Sequence, residues 1–169
     1  DLKVSYKLDG KAVSAEEIAG KSGKATIRFD YTNKQYSELN IGGKTEKIYV
    51  PFAMLTGLML DNDVFSNVSV TNGKIINDGD HTIVAGFALP GLQQNLNLSK
   101  DKLEIPDYVE ITADVQNFAL TTTLTLAANS LFNEIDTSKL NSADDLQAQL
   151  GELTSGMTKL INGSSELYG

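Results

Sequence analysis

Short runs in which apolar and polar residues alternate recur along the first three quarters of the chain. The first run places Leu2, Val4, Tyr6 and Leu8 on one side of an extended backbone, and a period of two indicates a strand with one buried face. Ser14, followed by two acidic residues, predicts a short helical turn after this strand. The same alternation, or a β-prone composition, predicts further strands over 25–32, 47–60, 64–70, 81–89, 108–115 and 118–126.

Turn signals separate these runs. Asn72-Gly73 is the strongest, because a type I′ turn needs positive φ at both central residues, and it predicts a hairpin. Asp78-Gly79 predicts a second turn, and the last two runs, 108–115 and 118–126, are predicted to pair with each other. The segment from Pro90 to Pro106 is predicted to be irregular or briefly helical.

About eight short strands without intervening long helices predict a mainly β fold. We interpret it as an antiparallel β-sandwich, with an immunoglobulin-like arrangement first and a barrel as the alternative. The alternation predicts that one core contains Leu2, Val4, Ile27, Phe29, Ile111, Val115, Leu124 and Leu126.

The pattern changes near Ala128, which divides the chain into a sandwich domain over 1–128 and a helical segment over 129–169. Ser142 is a good N-cap, and beyond it apolar residues recur at alternating spacings of four and three, the heptad pattern of a coiled coil. Such a helix can fold back on the sandwich or pair with the same helix of a second molecule, and we favour self-association. The predicted helix interface consists of Leu146, Leu150, Leu153, Met157, Leu160, Leu167, Gly156 and Gly163.

Composition narrows the chemistry. The 169 residues include 14 Lys and Arg against 22 Asp and Glu, a net charge of -8, so a nucleic-acid phosphate backbone would be repelled. Cys is absent, which excludes disulfides, thiol nucleophiles and Cys-ligated metals. The apolar stretch 48–60 is shorter than the ~20 residues that a membrane helix needs.

Candidate catalytic and metal sites are sparse. Two acidic turns, 61–63 and 78–80, offer oxygen ligands for calcium, but neither has the spacing of an EF-hand loop. His81 is the only histidine and cannot make a multi-His metal site. Ser99 and Lys102 match the Ser-x-x-Lys of penicillin-interacting enzymes, but the Lys-Thr-Gly-like element at 21–23 comes in the wrong order and a Ser-Asp-Asn element is missing. We therefore predict no catalytic residues, no cofactor and no metal site.

Two stretches carry a family resemblance. The units Leu153-Thr-Ser-Gly156 and Leu160-Ile-Asn-Gly163 resemble the heptads in the extracytoplasmic region of Gram-positive membrane proteins of the phage-infection-protein type. Residues 4–31 resemble uncharacterised surface proteins of Gram-positive gut bacteria with the same organisation. The resemblance implies a cell-envelope location and a membrane tether outside this chain, and it supplies no catalytic residues.

The functional hypothesis is a non-catalytic extracytoplasmic binding or spacer module on the cell surface. Its partner is expected to be a protein or an envelope polymer. Two alternatives stay open: an envelope hydrolase that uses the acidic turn residues, and a pure assembly element of a membrane complex. A pocket with convergent titratable groups of displaced pKa would favour the hydrolase, whereas a large apolar patch would favour the assembly element.

Overall fold

The computed structural model describes residues 1–128 and four separate helical positions, Ala148, Gly151, Glu152 and Ser155. Over 1–128 almost every element is a strand, and every paired strand runs antiparallel to its neighbour, so the predicted mainly β, antiparallel class is confirmed. The elements are β1 (Leu2–Leu8), β2 (Lys11–Val13), α1 (Ala15–Ile18), β3 (Gly23–Tyr31), β4 (Tyr36–Ile41), β5 (Lys44–Tyr49), β6 (Ala53–Asp61), β7 (Phe65–Val70), β8 (Gly73–Asn77), β9 (His81–Ala88), α2 (Leu92–Asn95), β10 (Tyr108–Val115) and β11 (Thr122–Ala128).

The strands form two large sheets and one separate hairpin. The first sheet has the order β2-β1-β3-β10-β7, the second has the order β11-β6-β9-β8, and β4 pairs only with β5. The two large sheets, which we call the two-sheet body, face each other across a shared apolar core. That core includes Ile27 and Phe29 of β3, Leu60 of β6, Val84 of β9 and Val109 of β10, all at most 2% exposed.

Two contacts in the core join the sheets, a close approach of two strands and a buried hydrogen bond. A Cβ atom added at Gly86 of β9 would lie 2.8 Å from Cγ2 of Val109 and still closer to its Cγ1, so the absence of a side chain lets β9 and β10 approach closely. The buried hydroxyls of Tyr31 and Thr56 hydrogen-bond to each other from opposite sheets. This contact satisfies two polar groups that would be costly to bury alone.

The connection after β9 covers one end of the outer face of the second sheet. Leu92, Leu96 and Leu103 pack there against a small cluster that includes Phe87. The side chain of Gln93 braces this connection, because it donates to the carbonyl oxygens of Leu98 (2.7 Å) and Leu103 (3.1 Å) and accepts from the Ile105 N-H (2.7 Å). The predicted short helix in this segment corresponds to α2.

The predicted hairpin at Asn72-Gly73 is wrong. β7 and β8, on either side of it, belong to different sheets, and Asn72 alone has positive φ (57°). The Asn72 side chain donates to the carbonyl oxygen of Tyr108 (3.2 Å), so the residue marks a crossing between sheets. Here the long-range pairing of each strand overrides a strong local turn signal.

The predicted pairing of the last two runs is also wrong, because β10 and β11 lie in different sheets. Phe118 lies between them, 6% exposed, with its ring edge-on to Phe65 at 5.6 Å. The chain crosses from the first sheet to the second at this buried ring. The Asp78-Gly79 turn, by contrast, does join the paired strands β8 and β9.

Half of the predicted core is confirmed. Ile27, Phe29, Ile111 and Val115 are buried. Four other predicted core residues are exposed, namely Leu2 (44%), Val4 (37%), Leu124 (54%) and Leu126 (51%).

The errors lie at one side of the body and have two different causes. Val4 pairs with the buried Phe29 and lies on the inner face of its sheet, but the opposite sheet ends at β11 and leaves it uncovered. Leu124 pairs with Gly57 of β6, whose neighbours Thr56 and Leu58 face the core. Leu124 and Leu126 therefore lie on the outer face. Alternation identifies the apolar face of a strand but not whether anything covers it.

The heptad positions of the predicted C-terminal helix lie outside the described residues. The four helical positions that are described are exposed. At 3.6 residues per turn they fall on the side of the predicted helix away from the apolar stripe. None of the described helices is long and apolar enough to cross a membrane.

Candidate functional site: exposed apolar surfaces

The first candidate surface is the β4–β5 hairpin, which we call the arm. Its strands join neither large sheet, and nearly all of its residues are exposed. Gly42 (φ 61°) and Gly43 (φ 84°) form its turn, because a two-residue hairpin turn of type I′ requires positive φ at both positions. The Gly43 N-H also donates to Oδ1 of Asn40 (3.1 Å).

The two faces of the arm differ. On one face the rings of Tyr36 and Tyr49 meet edge to face at 5.6 Å, and Nζ of Lys47 lies 4.3 Å from the centre of the Tyr36 ring. A hydrogen bond with Tyr36 raises the pKa of Lys47. The opposite face exposes Leu39 (50%), Ile41 (57%) and Ile48 (37%). One face is thus satisfied internally, and the other presents apolar side chains to solvent.

The base of the arm is fixed by two asparagines. The Asn95 amide accepts from the Tyr49 N-H (2.7 Å) and donates to the Tyr49 carbonyl oxygen (2.8 Å), much as a neighbouring strand would. The buried Asn33 donates to the carbonyl oxygens of Val50 (2.9 Å) and Pro90 (3.1 Å). These contacts hold the root of the arm against the two-sheet body.

The second candidate surface is the outer face of the β11-β6-β9 sheet. Its exposed or half-buried residues form an apolar patch, defined here as Leu55, Met59, Ile83, Ala85, Leu124 and Leu126. Met59 is 46% exposed. Contiguous apolar surface of this kind is typical of interaction sites.

Two open clefts flank the side of the body where β1 and β11 lie. A cleft of about 500 Å³ is lined by Asp1 and Ala127 among others, and one of about 450 Å³ is lined by Tyr6 and Thr123. The first contains a salt bridge between Lys34 and Asp1, whose side chains are both more than half exposed. Among the described residues that line them, neither cleft has a pair of titratable groups suited to acid-base catalysis.

The two acidic turns, which the sequence presents as separate, meet in the structure. Asn62 joins them, since its backbone N-H donates to the Asp80 carbonyl oxygen (3.0 Å) and its side chain donates to that of Gly79 (2.9 Å). Oδ1 of Asp61 and Oδ1 of Asp78 each accept from a backbone N-H at 2.8 Å. Among the described residues, no three His, Asp or Glu side chains are grouped to hold a metal ion. These carboxylate oxygens thus stabilise turns.

The remaining predicted candidates lie apart. His81 is half-buried at the start of β9. Ser99 and Lys102 are exposed, and the Lys102 N-H donates to the Ser99 carbonyl oxygen (3.0 Å) as part of a turn. His81 adjoins the 78–80 turn, where its backbone N-H donates to Oδ1 of Asp78 (2.8 Å), whereas Ser99 and Lys102 lie in a separate loop.

The predicted helix interface, Leu146 to Leu167 with Gly156 and Gly163, lies outside the described residues. Sequence reasoning missed the arm, although Gly42-Gly43 is a recognised hairpin signal. The polar residues around it masked the alternation. The single predicted run 47–60 is in fact two strands, β5 and β6, on either side of Pro51.

Comparisons of the chain with protein-family models, with curated proteins and with solved structures found no match.

Proposed function

We propose that this chain is a non-catalytic binding module of an extracytoplasmic, membrane-tethered cell-envelope protein, and that the arm is its contact element. The observation that carries the proposal is the solvent-exposed apolar face of the arm, formed by Leu39, Ile41 and Ile48. A two-stranded hairpin is only marginally stable alone. Its rigid attachment through Asn33 and Asn95 suits an element that presents side chains to another molecule.

A protein suits this surface better than a polar envelope polymer. The apolar residues on this face of the arm are aliphatic, and they lie beside Lys44 and Glu46. This combination matches the apolar core and polar rim of protein interfaces. The two aromatic rings that could stack on a sugar lie on the other face, where Lys47 covers Tyr36. Nucleic acid is disfavoured by the net charge of -8.

The acidic turn residues give the hydrolase alternative little support, because Oδ1 of Asp61 and Oδ1 of Asp78 each accept a hydrogen bond from a backbone N-H group. Burial works to lower the pKa of Arg28, and contacts with Asp30 and Glu110 outweigh it and raise the pKa. The pKa of Lys47 is raised as well. Neither basic group lies in an acidic turn, so these shifts belong to the polar outer face of the first sheet and to the arm.

The location and architecture of the whole protein belong to the same proposal. The Leu-x-x-Gly units and the resemblance of residues 4–31 support a Gram-positive cell-surface location and a membrane tether. The paired sheets suggest an immunoglobulin-like sandwich, and the spacing of Leu146, Leu150 and Leu153 supports a helical stalk over 129–169. A role in assembly is the second candidate, favoured by the apolar patch on the second sheet.

Photo-crosslinking in cells that produce the full-length protein tests the arm. A benzophenone amino acid at position 39 lies on the apolar face, and the same group at position 38 lies on the opposite face as a matched control. We expect a discrete protein adduct from position 39 and little from position 38. Equal adducts from both positions, or adducts with glycan only, would contradict the proposal.

Competition makes the assay specific. Added wild-type chain should suppress the adduct, and a Leu39→Ser/Ile41→Ser variant should not. A Glu38→Ser/Thr45→Ser variant alters only the opposite face and should compete like wild type. All three should unfold at similar urea concentrations, because the substituted side chains are exposed.

A further inference from the structure

The edges of the two large sheets are not alike. Natural proteins protect free strand edges with short strands, lysines, prolines or bulges. β2 has three residues and begins with Lys11. β7 carries a bulge opposite β10, with Asn67 at φ 50°, and β8 contains Lys74.

The edge at β11 has none of these devices. Its seven residues, Thr122–Ala128, contain no charge, proline or glycine. They pair with β6 in unbroken register from Thr122-Met59 to Ala128-Ala53. Among the residues that the structure describes, β11 is the last strand of its sheet, and no described strand pairs with its other side, where backbone N-H and C=O groups can receive an incoming strand.

Charge also distinguishes this region. In a chain with a net charge of -8, no charged residue occurs in β11, in 53–60 of β6 or in 82–88 of β9. Two copies of an acidic protein repel each other at most surfaces. They can approach here without bringing carboxylates together.

We infer that β11 pairs antiparallel with β11 of a second copy, so that the β11-β6-β9-β8 sheets of two molecules form one continuous eight-stranded sheet. The strand is complementary to itself about Thr125. Leu124 then faces Leu126 of the second copy, and Thr125 faces its own counterpart. The four leucines lie on the same outer face and join the two apolar patches. A twofold interface requires self-complementarity of this kind.

The inference goes beyond the proposed function and does not depend on the arm. It also differs from association through the C-terminal helix, because the contact lies in the body. The same geometry makes a specific prediction for crosslinking. In the paired dimer the Cβ atoms of the two Thr125 residues are ~5 Å apart. Those of the two Thr123 residues are separated by four residue steps, or ~13 Å.

Because the chain contains no cysteine, single introduced cysteines can test the register in which the two β11 strands pair. We expect Thr125→Cys to form a disulfide-linked dimer under mild oxidation ~10-fold faster than Thr123→Cys, because a disulfide needs Cα atoms within ~7 Å. Random collision would give the opposite order, since Thr123 is the more exposed of the two. Equal rates, or no crosslink at position 125, would overturn the inference.

Charge exchange provides an independent test on the full chain by sedimentation velocity. Leu124→Lys and Leu126→Glu should each weaken the dimer roughly tenfold, and a mixture of the two variants should recover it, because the introduced ammonium and carboxylate groups then face each other across the pair. Met59→Lys changes the same outer face away from the edge and should leave the dimer intact. A monomeric wild-type chain, or a dimer unaffected by the β11 variants, would contradict edge pairing.

Discussion

The outer faces of the two large sheets differ sharply in chemistry. On the first sheet, Arg28 lies between Asp30 (2.8 Å) and Glu110 (3.3 Å), and its guanidinium lies 3.7 Å from the centre of the Tyr108 ring. On the second sheet the corresponding surface is the apolar patch around Leu124 and Met59. The polar face satisfies its own groups and suits contact with water. The apolar face suits contact with protein, so within the two-sheet body the second sheet is the better candidate for such contact.

The largest expected effect concerns the inner face, where the two sheets close on each other. Phe29 is 2% exposed, and Phe29→Ala should lower the free energy of unfolding by about 3 to 5 kcal/mol through lost burial and a cavity. Val4, its cross-strand partner, is 37% exposed. Val4→Ala should cost under about 1 kcal/mol. Urea unfolding of both variants measures the difference in the free energy of unfolding. Similar losses for the two variants would mean that Val4 is covered and that the body is not open at β1.

An intermediate effect is expected where β9 meets β10. Gly86→Ala places a methyl group 2.8 Å from Cγ2 of Val109 and closer to its Cγ1, and it should cost about 1 to 3 kcal/mol by overpacking. Gly57→Ala is the matched control, because its Cβ would lie 3.8 Å from Cβ of Leu124 on the open outer face. It should be neutral or slightly stabilising. Thermal unfolding compares the two, and equal destabilisation would contradict the assignment of inner and outer faces.

A smaller effect is expected at the hydrogen bond between Tyr31 and Thr56. Tyr31→Phe should cost about 1 to 2 kcal/mol, because it leaves a buried hydroxyl without its partner. Thr56→Val should cost a similar amount. The double variant should cost less than the sum, with a coupling of about 1 kcal/mol. Additive costs in a double-mutant cycle would show that the two hydroxyls do not act together.

The smallest effect is expected on the polar outer face. Arg28 is about one-third exposed, so Arg28→Ala should cost less than about 1 kcal/mol, and added salt should reduce the difference. Lys34→Ala removes a more exposed ion pair and should have no measurable effect. Chemical denaturation at low and high salt checks both. A cost for Arg28→Ala as large as that of Gly86→Ala would refute the view of this face as simply solvated.

Local patterns predicted the strands well and their partners poorly. The alternation around Phe29 and Ile111 identified central strands, because both neighbours and the opposite sheet cover these residues. The same alternation at Val4 and Leu124 gave wrong predictions for two different reasons. Val4 lies where the opposite sheet ends, and Leu124 lies on the outer face of its own sheet. Asn72-Gly73 failed for a similar reason, since the pairing of β7 and β8 with distant strands decides the path of the chain.

The candidate surfaces were still harder to predict. The arm has polar residues on both sides of Gly42-Gly43, so its strands do not resemble half-buried ones. The apolar patch consists of residues whose apolar side chains and alternating positions are those expected of core residues. Only the order of strands in the sheets distinguishes an apolar side chain facing the core from one facing outward.

Hydrogen exchange of the β11 amides, measured by NMR over a range of protein concentrations, tests the central claim most directly. In a single copy, alternate N-H groups of an edge strand bond to the neighbouring strand and the others point to solvent. If β11 pairs with a second copy, the outward-pointing amides of Thr122–Ala128 become protected as concentration rises, while the amides of β3 do not change. Protection of β11 that stays the same at every concentration would contradict the account.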